Sequence, residues 1–259
     1  MFRIAAFSTS ALALSISAAA AATGVGLTDD RTLVMFDTET LEVTGTMDVE
    51  GVDRLLGIDL RPSNNTLVGV TDDMRIVTID TATGAATDLS TMDTPLEVGD
   101  MPVIVDFNPM ADRLRFMTGT TNHRVNVDTG EVTVDGSLNW VAEDENSEAS
   151  PMIAAAAYIN SYGTPEATAM YNIDSGLGAL LQQTAPNDGT LATIGMLNVE
   201  NPGEMMAFDV QTYAEGANMA WLVTNNTIHS VDLETGAATE AGEIAADGQI
   251  RDLAVLPAM

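Results

Sequence analysis

No cysteine occurs in the 259 residues. Disulfides, thiolate metal sites and cysteine nucleophiles are therefore excluded, and the fold is held by burial and strand pairing alone. Lysine is absent as well: nine arginines face 38 acidic residues, for a formal charge of −29. A nucleic-acid binder needs a basic surface to displace counterions from phosphate, so no nucleic-acid partner is expected, and anionic membrane surfaces are repelled too. Such an excess of carboxylate favours solubility, tolerance of salt and cation binding. The two histidines, His123 and His229, are too few for a zinc site without cysteine; His123 reads as a turn residue and His229 as a strand residue in another part of the chain. No G-x-S-x-G elbow and no glycine-rich phosphate loop before a helix is present. No segment sustains a helical period.

What is present begins with a leader. The first 22 residues, MFRIAAFSTSALALSISAAAAA, carry one cation, Arg3, then an apolar run, then small residues. That is the layout of a secretory signal peptide, with cleavage expected between Ala20 and Thr23. The expected mature unit, residues 23–259, is one domain, located in the periplasm or outside the cell and without membrane insertion after cleavage.

The rest is repetitive. IVTIDTATGAATDLS (76–90) returns as IHSVDLETGAATEAG (228–242). Aligned on the aspartate, related strings place Asp37, Asp80, Asp128, Asp174 and Asp232 at intervals of 43, 48, 46 and 58 residues. Each pairs an alternating apolar run with a Thr/Gly turn and a second alternating run, a hairpin in which Gly84, Gly130 and Gly236 supply positive φ. A second hairpin precedes it, as in LLGIDLRPSNNTLVGVTDD (55–73) and VIVDFNPMADRLRFMTGT (103–120). Four strands per period of this length predict an all-β propeller. The N-terminal copy lacks its leading strand, and IRDLAVLP (250–257) is a leading strand with nothing after it. The C-terminal strand is thus expected to complete the N-terminal blade and close the ring, removing the open sheet edges. The expected blades are 24–49 plus 250–257, 54–93, 102–138, 152–197 and 204–244. The 58-residue interval leaves six blades as the alternative count, with an extra hairpin turning at Asn187-Asp188-Gly189.

VDFNPMADRLRF (105–116), APNDGTLATIGML (185–197) and the recurring IDTATGAAT resemble an uncharacterised bacterial family, the domain of unknown function 4394. The resemblance implies an exported, propeller-like protein over most of the mature chain. It carries no assigned reaction and adds no catalytic residue.

Three leading strands share an aspartate: Asp59, Asp106 and Asp209. Innermost propeller strands line the central channel, so these carboxylates read either as turn caps accepting backbone N–H groups or as a ring suited to Ca²⁺, which takes six to eight oxygen ligands. Tyr158 and Ala254 occupy the matching places in the other two strands and interrupt that ring. Arg113, Arg115 and Arg124 concentrate in one blade. They are expected to pair with Asp112 or Asp106, or to form an anion pocket. The acidic stretch 138–151 reads as a solvated loop beside Trp140, and the repeated aspartates as turn caps. The leading functional expectation is a monomeric, non-enzymatic scaffold or binding module for a protein, glycan or small molecule. Its contact loops would lie on one face: Asp72-Asp73, Thr118–His123, Ser161–Glu166 and Asn225-Asn226. The alternatives are a calcium-dependent, lactonase-like hydrolase using the channel carboxylates and a structural component of envelope or matrix.

Overall fold

A computed structural model describes residues 22–203, 205–214 and 216–257. The leader therefore lies, but for Ala22, outside the described residues. Among them there is no helix, and the strands form five blades in a ring. Read outward from the centre, blade 1 is β21 (Asp252–Leu256), β1 (Thr23–Thr28), β2 (Thr32–Asp37) and β3 (Val43–Asp48). Blade 2 is β4 (Leu55–Arg61), β5 (Thr66–Thr71), β6 (Arg75–Ile79) and β7 (Ala86–Thr91). Blade 3 is β8 (Val103–Asn108), β9 (Arg113–Thr118), β10 (Thr121–Val125) and β11 (Val132–Val134). Blade 4 is β13 (Ile153–Tyr158), β14 (Met170–Asp174), β15 (Ala179–Ala185) and β16 (Thr190–Met196). The short β12 (Asn139–Trp140) runs parallel along the outside of β16. Blade 5 is β17 (Met206–Thr212), β18 (Asn218–Thr224), β19 (Thr227–Val231) and β20 (Ala238–Glu243). The C-terminal strand closes the ring as the sequence predicts: β21 pairs with β1 from Thr23↔Leu256 to Leu27↔Asp252.

Sequence period follows burial. Inner strands are enclosed on both faces, so LLGIDLR in β4 is buried throughout, whereas in the outermost ATDLST of β7 only Ala86 and Ser90 are half-buried and the rest is exposed. In β5, Val68 and Val70 face blade 3 while Leu67 faces blade 1. This two-residue alternation divides the core into five apolar layers, one between each neighbouring pair of blades. Full burial of a Leu or Phe side chain contributes about 1.5–3 kcal/mol, and these layers do the work that disulfides would otherwise share.

The blade count is five, and the fourth blade explains the long interval. Asp174 ends β14, the second strand, so it does not belong with the aspartates of the outer hairpin. The outer turn of blade 4 is Ala185–Gly189, where Ala185 O accepts the N–H groups of Asp188 and Gly189. The sequence QQTAPNDGTLATIGML is thus the outer hairpin itself and no extra element. Blade 3 is also shifted by two positions: Asn126, not Asp128, fills the turn position, its N–H bonding Glu131 O as Asp80 N–H bonds Ala85 O. The turn device holds in three blades, where Asp37, Asp80 and Asp232 each accept N–H groups from the residues two and three ahead. Gly84, Gly130 and Gly236 adopt φ of 76°, 76° and 80°.

Candidate functional site

Every inner strand runs in the same direction, so the ring has a front face, where these strands begin, and a back face, where they end. Near the back face Asp59, Asp106 and Asp209 point into the axis. Each offers a carboxylate oxygen within 4.8 Å of the others, and the residues are only 6, 4 and 7% exposed.

Their hydrogen bonds follow one pattern, which differs from the local turn capping expected. Asp59 accepts Leu60 N–H at 2.7 Å and, across the blade boundary, Phe107 N–H at 2.6 Å. Asp106 accepts Tyr158 N–H of the next blade at 2.9 Å. Asp209 accepts Val210 N–H and, from blade 1, Val255 N–H, both at 2.6 Å. Each carboxylate clasps its own inner strand to the next one round the ring.

A fourth clasp was not read from the sequence. Asp252 accepts Leu253 N–H at 3.0 Å and Ile58 N–H of blade 2 at 2.7 Å. It stands two residues before Ala254, the position matching the other three, so it faces the axis one layer nearer the front. Gly57 makes room for it: a Cβ there would meet Asp252 Oδ2 at 2.7 Å and Val105 Cγ2 at 2.6 Å.

Crowding four buried carboxyls together disfavours their charge. Burial, reinforced by the neighbouring Asp209, pushes Asp59 well above the usual carboxylate range. Burial and the charge of Asp59 do the same for Asp106. Burial raises Asp209 to about 6 and Asp252 to about 7. The group therefore either shares protons or neutralises a cation. Behind it, between Asp59, Asp209, Gln211, Thr212 and Ser161, lies a cavity of about 20 Å³, room for one water or ion.

The arginines do not join this cluster. Arg115, 1% exposed, donates to Asp135 at 2.7 Å, Asn122 at 2.9 Å, and Tyr158 Oη and Asn187 at 3.2 Å. It thereby ties blade 3 to blade 4. Arg124 grips the same Asp135 through two bonds. Arg113 bonds the carbonyls of Ala111 and Asp112. Neither expected partner, Asp112 or Asp106, serves Arg115. Asp112 is taken by Arg61, which forks onto Asp112 and Asp128 at 2.6–2.8 Å across the back face. The two positions lie about 50 residues apart in the chain, so spacing did not reveal the pairing.

His123 lies in β10, inside a strand and not a turn, where burial lowers its pKa. His229 lies in β19, two blades away. The acidic loop is pinned as well as solvated: Asp144 accepts the N–H groups of Thr193 and Asn146. Trp140 is buried, and its Nε1–H donates to Ala149 O.

The front face holds the larger opening. A cavity of about 460 Å³ lies over the starts of the inner strands. It is lined by Leu56, Val103, Met206 and Arg251, by the segment 98–102, and by Arg54 and Met205. Val98, Met101 and Met205 are 37, 42 and 44% exposed there. Of the four expected contact loops, Asp72-Asp73, Thr118–His123 and Asn225-Asn226 join second to third strands and lie on the front face. Ser161–Glu166 follows an inner strand and lies on the back. A second cavity, about 400 Å³ and polar, is lined by residues 198–201 and by Thr224, Asn225, Thr227, His229, Ala238 and Glu240 of blade 5.

The family model described as Domain of unknown function (DUF4394) matches residues 32–254. No curated protein matches. Among solved structures, the chain is similar to a structural genomics protein of unknown function from Bacteroides thetaiotaomicron VPI-5482. The identity is 15% and the TM-score 0.50, with 91% of this chain and 61% of that one covered. A protein of unknown function from Bacteroides caccae aligns at 9% identity and TM-score 0.46, over 92% of this chain and 99% of that one. An auxiliary nutrient binding protein from Bacteroides ovatus ATCC 8483 aligns at 12% identity and TM-score 0.46, over 76% and 55%. At these identities the likeness concerns the fold alone. The family match, spanning most of the chain, is decisive: the protein belongs to the DUF4394 family.

Proposed function

We propose that this DUF4394 propeller is an exported, non-enzymatic binding module that receives a small ligand in the front-face opening. One observation carries the reading. An opening of about 460 Å³ falls in the 300–1,000 Å³ range of small-molecule sites, and it keeps Val98, Met101 and Met205 in contact with water. Apolar side chains grouped at one concave opening mark a ligand-binding groove, as singly exposed ones do not. Export is supported by the leader-like residues 1–22. Among the described residues no helix is long and apolar enough to cross a membrane.

The test is a thermal-shift screen of small polar and amphipathic metabolites against the mature protein, repeated on Gly99→Trp. Gly99 lines the opening and a Cβ there meets nothing within 4 Å, so a tryptophan is accommodated without displacing the blades and is expected to obstruct the opening. A ligand that raises the melting temperature of the parent and not of Gly99→Trp supports the reading. A ligand equally effective on both, or no ligand at all, refutes it.

The convergence of Asp59, Asp106 and Asp209 favours a second reading, a calcium-dependent hydrolase. Those residues would hold the ion and polarise a carbonyl. Against it, the adjoining cavity of about 20 Å³ admits an ion but no ester. The carboxylates are also engaged with strand N–H groups. Melting in EDTA and then in millimolar Ca²⁺ separates ion from catalyst. A rise of several degrees that NaCl of equal ionic strength does not reproduce supports an ion site. Turnover of lactones or esters, lost in Asp106→Asn, is needed for the enzyme.

A further inference from the structure

Resting on the reading of the front-face opening as a binding site, we infer that its ligand is a small amphipathic anion, a carboxylate head on an apolar body. The chain has nine arginines in all, and two of them, Arg54 and Arg251, line this one opening. A guanidinium carries five N–H donors and keeps its charge at any physiological pH. Arg251 uses four of the five on backbone carbonyls. Nε donates to Asp29 O at 2.7 Å, Nη1 to Leu56 O at 3.1 Å, and Nη2 to Leu55 O at 2.6 Å and Asp30 O at 3.3 Å. Among the described residues no carboxylate pairs with it. One Nη1 hydrogen remains, on a group locked in place at the rim of the cavity.

Among the described residues Arg54 pairs with Asp30 alone, at 3.6 Å, with both side chains more than half exposed. Such a contact contributes little and yields readily to a better acceptor. Asp252, Asp30 and Asp29 lie near enough to act on Arg251 through their charge, but among the described residues none of them forms an ion pair with it, and two guanidinium groups meet at this one opening. Asp100 also lines the opening and sets the polarity of the pocket: the head belongs on the arginine side, and the body on Val98, Met101 and Met205. Planar donor pairs suit carboxylate geometry, and flexible methionine adapts to alkyl chains of differing shape.

The experiment is calorimetric titration of the mature protein with octanoate, octanol and octylamine. Arg54→Gln and Gly99→Trp follow as variants, both at exposed positions that the fold does not need. The expected result is that octanoate binds, octanol binds about tenfold more weakly, as the loss of a charge-assisted bond implies, and octylamine does not bind. Arg54→Gln should bring octanoate to the level of octanol, and Gly99→Trp should abolish both. Equal affinity for acid and alcohol with no effect of Arg54→Gln would overturn the anion assignment and leave the opening as an apolar site. Preference for the amine would overturn it through the sign of the charge. No binding of any of the three would overturn it too. The broader binding reading then falls only if the metabolite screen also finds nothing that Gly99→Trp blocks.

Discussion

The carboxylate clasps make the stability of the ring depend on pH in a direction opposite to that of carboxylates held charged by ion pairs, and Asp252 is where this is best measured. Burial raises its pKa from the ordinary 3.8 to about 7. Each tenfold change in proton affinity is worth about 1.36 kcal/mol, so the charged form is disfavoured in the folded state by about 4 kcal/mol. Below pH 3.8 the group is protonated in both folded and unfolded chains, and above about 7 it is charged in both. Between these limits unfolding releases a proton, so stability falls as pH rises. The parent protein alone is not diagnostic, because easing repulsion among surface acids also stabilises it at lower pH. The difference between the parent and Asp252→Asn isolates the group. Urea unfolding, followed by the fluorescence of Trp140 and Trp221, should show the parent losing about 4 kcal/mol relative to the variant between about pH 4 and about pH 8. The offset between the two also contains the N–H bond that the amide cannot accept, but that part does not change with pH. A difference that stays flat within about 1 kcal/mol over this range would mean that Asp252 ionises normally and that the channel is wetter than its geometry implies.

Three further outcomes are expected. Arg115→Met leaves buried Asp135 with Arg124 alone and should cost about 3 kcal/mol in urea unfolding, the low end for a broken buried pair; Arg113→Met, which cuts only rim contacts, should stay within about 0.5 kcal/mol. Gly57→Ala drives a methyl group against Val105 and Asp252, so a loss of about 1–3 kcal/mol is expected, and an unchanged midpoint would deny the close approach of β21 and β4. Ending the chain after Gly248 removes β21, exposes the edge of β1 and uncovers the apolar faces of the neighbouring blades; loss of a single cooperative transition and concentration-dependent association in light scattering should follow, whereas an intact monomeric transition would show that closure is dispensable.

Much of the ring was legible because its rules are local. The apolar run LLGIDLR, the Thr/Gly turns and the orphan strand at the C-terminus each reflect a requirement met within a few residues. Alignment on one letter failed where another residue served the same purpose. Asn126 accepts a turn N–H as an aspartate would, and Ala185 needs only its backbone, so Asp128 and Asp174 were drawn into a register they do not share. Asp252 escaped for a related reason. Ala254 holds the position matching the other three, yet an aspartate two residues earlier lies on the same strand face, and its signal was the paired glycine at position 57. The two lining arginines, 54 and 251, were beyond any pattern, since only ring closure sets the start of the C-terminal strand beside the start of the second blade.

That closure also fixes how the molecule would respond to force. The seam between β21 and β1 is antiparallel, with Leu256 opposite Thr23, so both chain ends leave the ring at the same corner of one blade. Traction applied between the two ends would peel this seam open one pair at a time, because the load falls on the outermost hydrogen bonds first instead of being shared along the ladder. Pulled by one end against a ligand held at the front face, the ring would instead carry the load through the body of the blades. A tether at a single end is therefore the mechanically sound way to mount such a propeller.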